Sequence, residues 1–258
     1  MRKPVEGGAP DAAVLGAMEG DSETTALARP MRQAGLGEIV GDVHTDDMRI
    51  PYLQMAFGVG SLAKDFSPGD LVLNGDSLLV HKNEPLLITI AGVEVYWKEY
   101  LTNAQYLAQY RPRSFATEAE VHAAGGTTVW INDTAPTFSK AINMKVLIRK
   151  PANVISGLFG LTLGGHEYAP ARWIADKTAY RKVAPVVLTT AQFALRKKGL
   201  LSGIFEVKTV IEQKGQTTKV FPSIRLVGEN SPEFIAETRA AFGLTSDGAP
   251  EALPPPAT

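Results

Sequence analysis

The sequence predicts a mainly β protein of the α+β class, an OB-like antiparallel barrel with small helical additions. Three observations carry that expectation. Short apolar runs alternate with polar residues between Met48 and Gly228, turn chemistry separates them, and only two stretches carry helix start and stop signals. A closed barrel removes exposed strand edges, which favours it for many short strands, although the strand pattern alone fits a sandwich as well as a barrel. No internal repeat of fixed period interrupts this pattern.

In chain order, MRIPYLQMAFG (48–58) is the first candidate strand, and SPGD (67–70) places Pro and Gly for a tight reversal. LVLNGD (71–76) is a short apolar run ended by Asn74-Gly75, a strong hairpin signal. LLVHKNEPLLITIAGVEVYW (78–97) reads as two or three strands broken at Asn83-Glu84-Pro85 and at Ala91-Gly92. TTVWIND (127–133) and INMKVLIRKP (142–151) read as further strands, and in the second Met144, Val146 and Ile148 alternate with Lys145, Leu147 and Arg149. TTAQFALRKKG (189–199) is a candidate helix with Thr189 or Thr190 as N-cap, basic residues in its last turn and Gly199 as its stop. Residues 204–228 read as a hairpin turning at Lys214-Gly215, followed by a further strand. SPEFIAETRAAFG (231–243) is a helix with a Ser N-cap, Pro at its first position and a closing Gly.

The organisation expected is a disordered acidic arm over 1–47, a β-barrel-like body over 48–229, a C-terminal helix over 230–244 and a disordered Pro-rich tail over 245–258. The arm is rich in Gly, Ala, Asp, Glu and Pro, a composition that buries too little apolar surface to offset its ordering entropy. No apolar run approaches the roughly 20 residues that span a bilayer, and no segment reads as a signal peptide. The expectation is therefore a cytoplasmic protein with no membrane partner. There are no cysteines, which excludes disulfides, thiolate metal sites and thiol nucleophiles.

The net charge of −1 conceals an uneven distribution: −5 over 1–47, +1 over 48–150, +7 over 151–225 and −4 over 226–258. A basic body between acidic ends suits a polyanion partner.

EIVGDVHTDD (38–47) sets Asp42 and His44 two apart after an apolar pair, as metallophosphoesterases do. Such a site needs a second Asp, an Asn-His pair and further histidines on later strands; no Asn-His dipeptide follows, and His81 and His122, each preceded by Val, stand in no suitable setting. A polar linker is the preferred reading. GLFGLTLGG (157–165) lacks the Gly-Lys-Ser/Thr ending of a phosphate loop and reads as a flexible β-loop. No Gly-x-Ser-x-Gly elbow occurs. Neither catalysis, nor a metal, nor a cofactor is expected.

What survives is the joint occurrence of cations and rings. YWKEYLTNAQYLAQYRPRSF (96–115) contains Tyr96, Trp97, Tyr100, Tyr106, Tyr110, Arg111 and Arg113. ARWIADKTAYRK (171–182) sets Arg172 beside Trp173, and Tyr180 beside Arg181 and Lys182. Between and after these come Lys145, Arg149 and Lys150, then Arg196, Lys197 and Lys198. From Lys140 to Arg225 there are 15 basic residues against 4 acidic. Single-stranded nucleic acid is bound by this combination, with cations along the phosphates and rings on unpaired bases. Trp97, Tyr110, Trp173 and Tyr180 are the stacking candidates, the eleven other nucleic-acid-binding candidates being the Arg and Lys residues just named; Tyr96, Tyr106 and Trp130 are assigned to the core.

IPYLQMAFGVGSLAKDFSPGDLVLNGD (50–76), PVVLTTAQFALRKKGLLSGIFEVKTV (185–210) and KVFPSIRLVGENS (219–231) resemble a family of tailed-bacteriophage proteins. The resemblance implies a single-stranded DNA-binding protein on an OB-like barrel, acting in phage DNA replication or recombination. Such proteins commonly end in an acidic tail closed by an aromatic residue, whereas this chain ends PEALPPPAT. Recruitment of replication proteins would then fall to its acidic ends. The alternative is a phage structural or assembly protein with a basic DNA- or partner-facing surface.

Overall fold

The computed structural model describes residues 50–242, apart from 59, 103, 106, 107, 109, 156, 215 and 216. The acidic arm with Asp42 and His44, the ring of Tyr106, the turn residue Gly215 and the Pro-rich tail lie outside the described residues.

Strands dominate and pair antiparallel. β1 (Leu53–Met55), β2 (Leu71–Leu73) and β3 (Ser77–Val80) form a small sheet in that order. The large sheet contains β4 (Leu86–Glu99), β5 (Ser114–Phe115), β6 (Phe138–Arg149), β7 (Leu161–Leu163), β8 (His166–Asp176), β9 (Gly203–Lys214) and β10 (Thr217–Glu229). Its order is β10-β9-β4-β6-β8-β7, with β5 added to β4. The α-helices with bounds among the described residues are α1 (Glu118–Ala123), α2 (Lys177–Thr189) and α3 (Pro232–Phe242).

Turn chemistry explains the reversals. Asn74 (φ 57°) and Gly75 (φ 83°) take the left-handed conformation that the β2–β3 connection needs. The glycine-rich 157–165 segment is hairpin material: Gly164 and Gly165, at φ 53° and 76°, join β7 to β8 with Leu163 opposite His166. At Ala91-Gly92 the chain does not break, as the sequence suggests, but makes a bulge within β4, between Ile90 and Gly92 in their pairing with β6.

Alternation gives the large sheet two faces. On one, Ile88, Ile142, Met144, Val146, Ile148, Ala171 and Trp173 meet Leu53, Met55, Leu71, Leu73 and Leu79 of the small sheet and Val183, Ala184 and Val187 of α2. Each large aliphatic side chain fully buried there contributes about 1.5–3 kcal/mol of transfer free energy. On the other face α3 lays Phe234 and Phe242 against Leu147, Leu163 and Tyr168. A third, smaller cluster joins Trp97, Val121 and Phe138 at the far end of β4 and β6.

The helix expected at 189–199 is displaced. The α-helix is α2, and Thr190–Ala194 form a π turn closed by the Leu195 N–H donating to the Thr190 carbonyl at 2.9 Å. Pro185 lies inside α2 and removes one helical donor, at a typical cost of about 3 kcal/mol. Burial of Val183, Ala184 and Val187 against the main core offsets that cost. The C-terminal helix begins as its sequence signals: the Ser231 hydroxyl accepts from the Phe234 N–H at 3.2 Å. TTVWIND is not a strand; it forms a short finger whose Ile131 and Thr134 exchange two backbone bonds across Asn132-Asp133.

The small sheet is tied to both flanks of the large one. Tyr52 makes a parallel bridge to Arg172 on β8, where the Arg172 N–H donates to the Pro51 carbonyl at 2.8 Å. On the opposite flank the buried Thr209 hydroxyl of β9 donates to the Gly69 carbonyl at 2.6 Å.

Candidate nucleic-acid interface

Beyond Leu147, the α3-bearing face of β4, β6 and β8 is polar, and cross-strand register organises it in rows. Gly92 pairs with Lys145, Lys145 with Arg172, and Arg172 with Tyr52, so one row crosses four strands. At about 4.8 Å per strand spacing it spans roughly 14 Å. The next row is Glu94, Asn143 and Ile174, followed by Tyr96, Ala141 and Asp176, and then Lys98 with Ser139.

The rows are cross-linked. The Arg172 Nε donates to Asn143 Oδ1 at 2.8 Å, and the Asn143 amide donates to Glu94 Oε2 at 3.2 Å. Arg172 is therefore held in one orientation by a buried amide. Lys145 passes beneath Gly92, where an added Cβ would sit 3.6 Å from the Lys145 Cδ. Lys98 donates to Asp176 Oδ2 at 3.0 Å. At the end of the face the Lys177 ammonium lies 3.8 Å from the Tyr100 ring centroid, a cation–π contact. Lys177 has φ 51°, a left-handed conformation that strains a residue with a Cβ. Burial pushes the Tyr96 phenol above its ordinary value, partly opposed by the nearby Arg172 charge.

The site residues expected from sequence divide into groups. Lys145 and Arg172 are brought together. Trp97 and Trp173 are corrected: only 9% and 4% exposed, they are core residues and not stacking platforms. Strand alternation is the reason, because the residue beside an outward cation in sequence points to the opposite face. Trp173 sits opposite Met144 in the core, and Trp97 packs with Val121 and Phe138 while the Lys140 ammonium caps it at 5.2 Å. Tyr180 is half-buried on α2 against the main core, and burial raises its phenol. Tyr110 is exposed, and Arg111 beside it is exposed too.

Several cations are engaged by neighbours and lie away from the rows. Arg113 forms a two-pronged pair with Glu99, through Nε at 3.1 Å and a terminal nitrogen at 2.9 Å. Arg149 bonds the His166 ring, and Lys150 pairs with Glu167 at 2.6 Å. Lys182 pairs with Glu212 at 3.4 Å and covers the Phe221 ring, and Lys198 pairs with Glu229. Arg181, Arg196 and Lys197 are exposed along α2 and beyond its end. The basic surplus is thus spread over separate surfaces, not gathered into one groove.

Sequence reasoning missed three rings. Tyr52, 42% exposed, shares the Arg172 row, Tyr96 lies two rows away and Tyr100 follows β4. Alternation along LITIAGVEVYW signals the position of Tyr96, but the bulge at Ala91 shifts the parity and hides it. Trp130, assigned to the core, is 67% exposed on the finger.

Among the described residues no group of three or more His, Asp and Glu side chains could hold a metal, and no helix is long and apolar enough to cross a membrane. Comparison with family models, with curated proteins and with solved structures found no significant match.

Proposed function

We propose that the protein is a sequence-tolerant single-stranded DNA-binding protein, acting in phage DNA replication or recombination, and that the polar rows of β4, β6 and β8 are its binding face. The observation that carries this reading is the Lys145–Arg172–Tyr52 row, which sets two cations beside an exposed ring on a sheet face, with Tyr96 and Tyr100 further along. Phosphates would lie over Lys145, Arg172 and Lys177, and unpaired bases over the tyrosines. The ties from the small sheet to β8 and to β9 support an OB-like arrangement, in which a curved sheet presents one face to an oligonucleotide. Replication proteins would be met through the acidic ends.

The test is fluorescence anisotropy with labelled ~30-nucleotide oligomers, single- and double-stranded, across a salt series. Single strands are expected to bind more tightly, and Lys145→Ala or Arg172→Ala should reduce the log K against log salt slope by about 0.7 each. Tyr52→Ala should weaken binding by about 1–3 kcal/mol. Absence of binding at low salt, or slopes indifferent to both cation variants, would sink the reading. Intrinsic tryptophan emission is a poor reporter of this face, since Trp97 and Trp173 are buried.

One observation favours a second reading, a phage assembly protein: the apolar tip of the finger suits a protein contact. Such a protein should co-purify with virions and show no preference for single strands.

A further inference from the structure

The finger is built to be rigid and to present apolar surface. Its base is a ladder in which the Thr127 and Thr137 N–H groups each donate to the other's hydroxyl, at 2.8 and 3.0 Å, and the Phe138 N–H donates to the Thr127 carbonyl at 3.0 Å. α1 buttresses it with a capping box between Thr117 and Glu120, and buries Val121 against Trp97 and Phe138. The tip reverses through Asn132 (φ 47°) and Asp133 (φ 63°). Val129, Trp130 and Ile131 are left exposed on this frame. Their rim is acidic: Asp133 sits in the turn, and Glu118 accepts the Thr128 hydroxyl at 2.6 Å.

A surface of opposite character lies beyond α2. Phe193 is 73% exposed on the π turn, with Leu188 also exposed one turn earlier. Arg196 and Lys197 follow, exposed and without an ion pair among the described residues. The two surfaces are at opposite ends of the helix. Lys177, at the start of α2, stacks on Tyr100, whose N–H donates to Thr137 at the base of the finger at 2.7 Å. Phe193 is sixteen residues further on, about 24 Å away at 1.5 Å per residue.

We propose that the occupant of the Phe193 patch is the finger of a second copy of this chain, giving a head-to-tail contact. Apolar tip meets apolar patch, and the Glu118–Asp133 rim meets Arg196 and Lys197. Because donor and acceptor surfaces differ and lie at opposite ends, the contact is heterologous and repeats from copy to copy, into a ring or an open filament. This does not rest on the DNA-binding reading.

Sedimentation velocity on the full chain without nucleic acid, over a concentration series at low and moderate salt, tests it. The wild type is expected to show a sedimentation coefficient that rises with concentration and falls with salt. Trp130→Ala and the pair Arg196→Glu/Lys197→Glu should each abolish the rise. A finger variant, Glu118→Lys/Asp133→Asn, keeps a side chain that tolerates the left-handed turn and should also be monomeric. Mixing the finger variant with the patch variant should restore association, because opposite charges face each other again. A monomeric wild type at every concentration would overturn the proposal. So would association lost in Trp130→Ala but indifferent to the charge variants, which would mean a symmetric tip-to-tip contact. A monomer whose Trp130 emission is quenched by single-stranded oligomers would assign the ring to a base instead.

Discussion

At the scale of single residues, the informative cases are those where a side chain departs from what its neighbours in sequence suggest. Arg172 and Trp173 are adjacent, yet one is clamped by Asn143 on the polar face and the other is buried opposite Met144. Lys177 is the other instructive residue. A left-handed non-glycine residue costs roughly 1–2 kcal/mol, and here it places the ammonium over Tyr100 at the end of the candidate face. Strain of this sort tends to persist where function requires it. Lys177→Gly should therefore leave stability within about 1 kcal/mol of wild type, since relief of strain offsets the lost cation–π contact. It should nevertheless weaken oligonucleotide binding. Chemical denaturation and anisotropy on the same variant check both halves, and unchanged affinity would show that Lys177 is only structural.

At the scale of elements, contacts between segments remote in sequence decide how the small sheet and α2 are placed. The small sheet is tied to β9 through the Thr209 hydroxyl and the Gly69 carbonyl, and the fit is close: an added Cβ on Gly69 would lie 2.9 Å from Thr209 Cγ2. Thr209→Val keeps the shape and leaves a buried carbonyl without that donor. It should cost about 1–3 kcal/mol by denaturant titration and speed amide exchange across β2 and β3. Equal protection in both proteins would show that the tie does not anchor the sheet. The extent of α2 was illegible for a related reason. Ala179, Val183, Ala184 and Val187 carry a helical period, but Pro185 interrupts it, and Thr189-Thr190 imitates an N-cap where the helix actually ends. Local signals lost to burial against the main core.

At the scale of the whole molecule, charge is distributed in paired surfaces, and this sets the pH response. Hydrogen bonds from Arg113 hold the Glu99 carboxyl below its ordinary value, and bonds from Arg225, then Lys208, do the same for Glu206. Both groups bind protons more weakly in the folded chain than in the unfolded one. Their contribution is therefore present above about pH 4.5 and is lost as pH falls through their folded values. Tyr96, Tyr168 and Tyr180 are raised by burial, so the fold favours their neutral forms. That contribution is present below pH 10.0 and is lost as pH climbs through the folded values. Stability measured by chemical denaturation should be flat between these limits and fall on both sides, with the acid limb shallower in Glu206→Gln. An unchanged acid limb in that variant would show that the pair contributes nothing to folding.

Much of the architecture was legible in the chain because it is local. The strands around Asn74-Gly75, the alternation in β6 and the capped helix at Pro232–Phe242 follow from turn conformations and period-two patterning that neighbouring residues carry between them, whereas the strands flanking Gly164-Gly165 read as a loop. So does the excess of cations between Lys140 and Arg225. The candidate site was not legible, apart from Lys145 and Arg172. Its rows join residues up to 120 positions apart, Tyr52 with Arg172, through hydrogen-bond register, and a single bulge at Ala91 changes which side chains of β4 share a face. Which rings face solvent and which cations share a surface are questions of strand parity and pairing. Tertiary contacts decide these, since a shift of one residue turns every side chain of a strand to the other side.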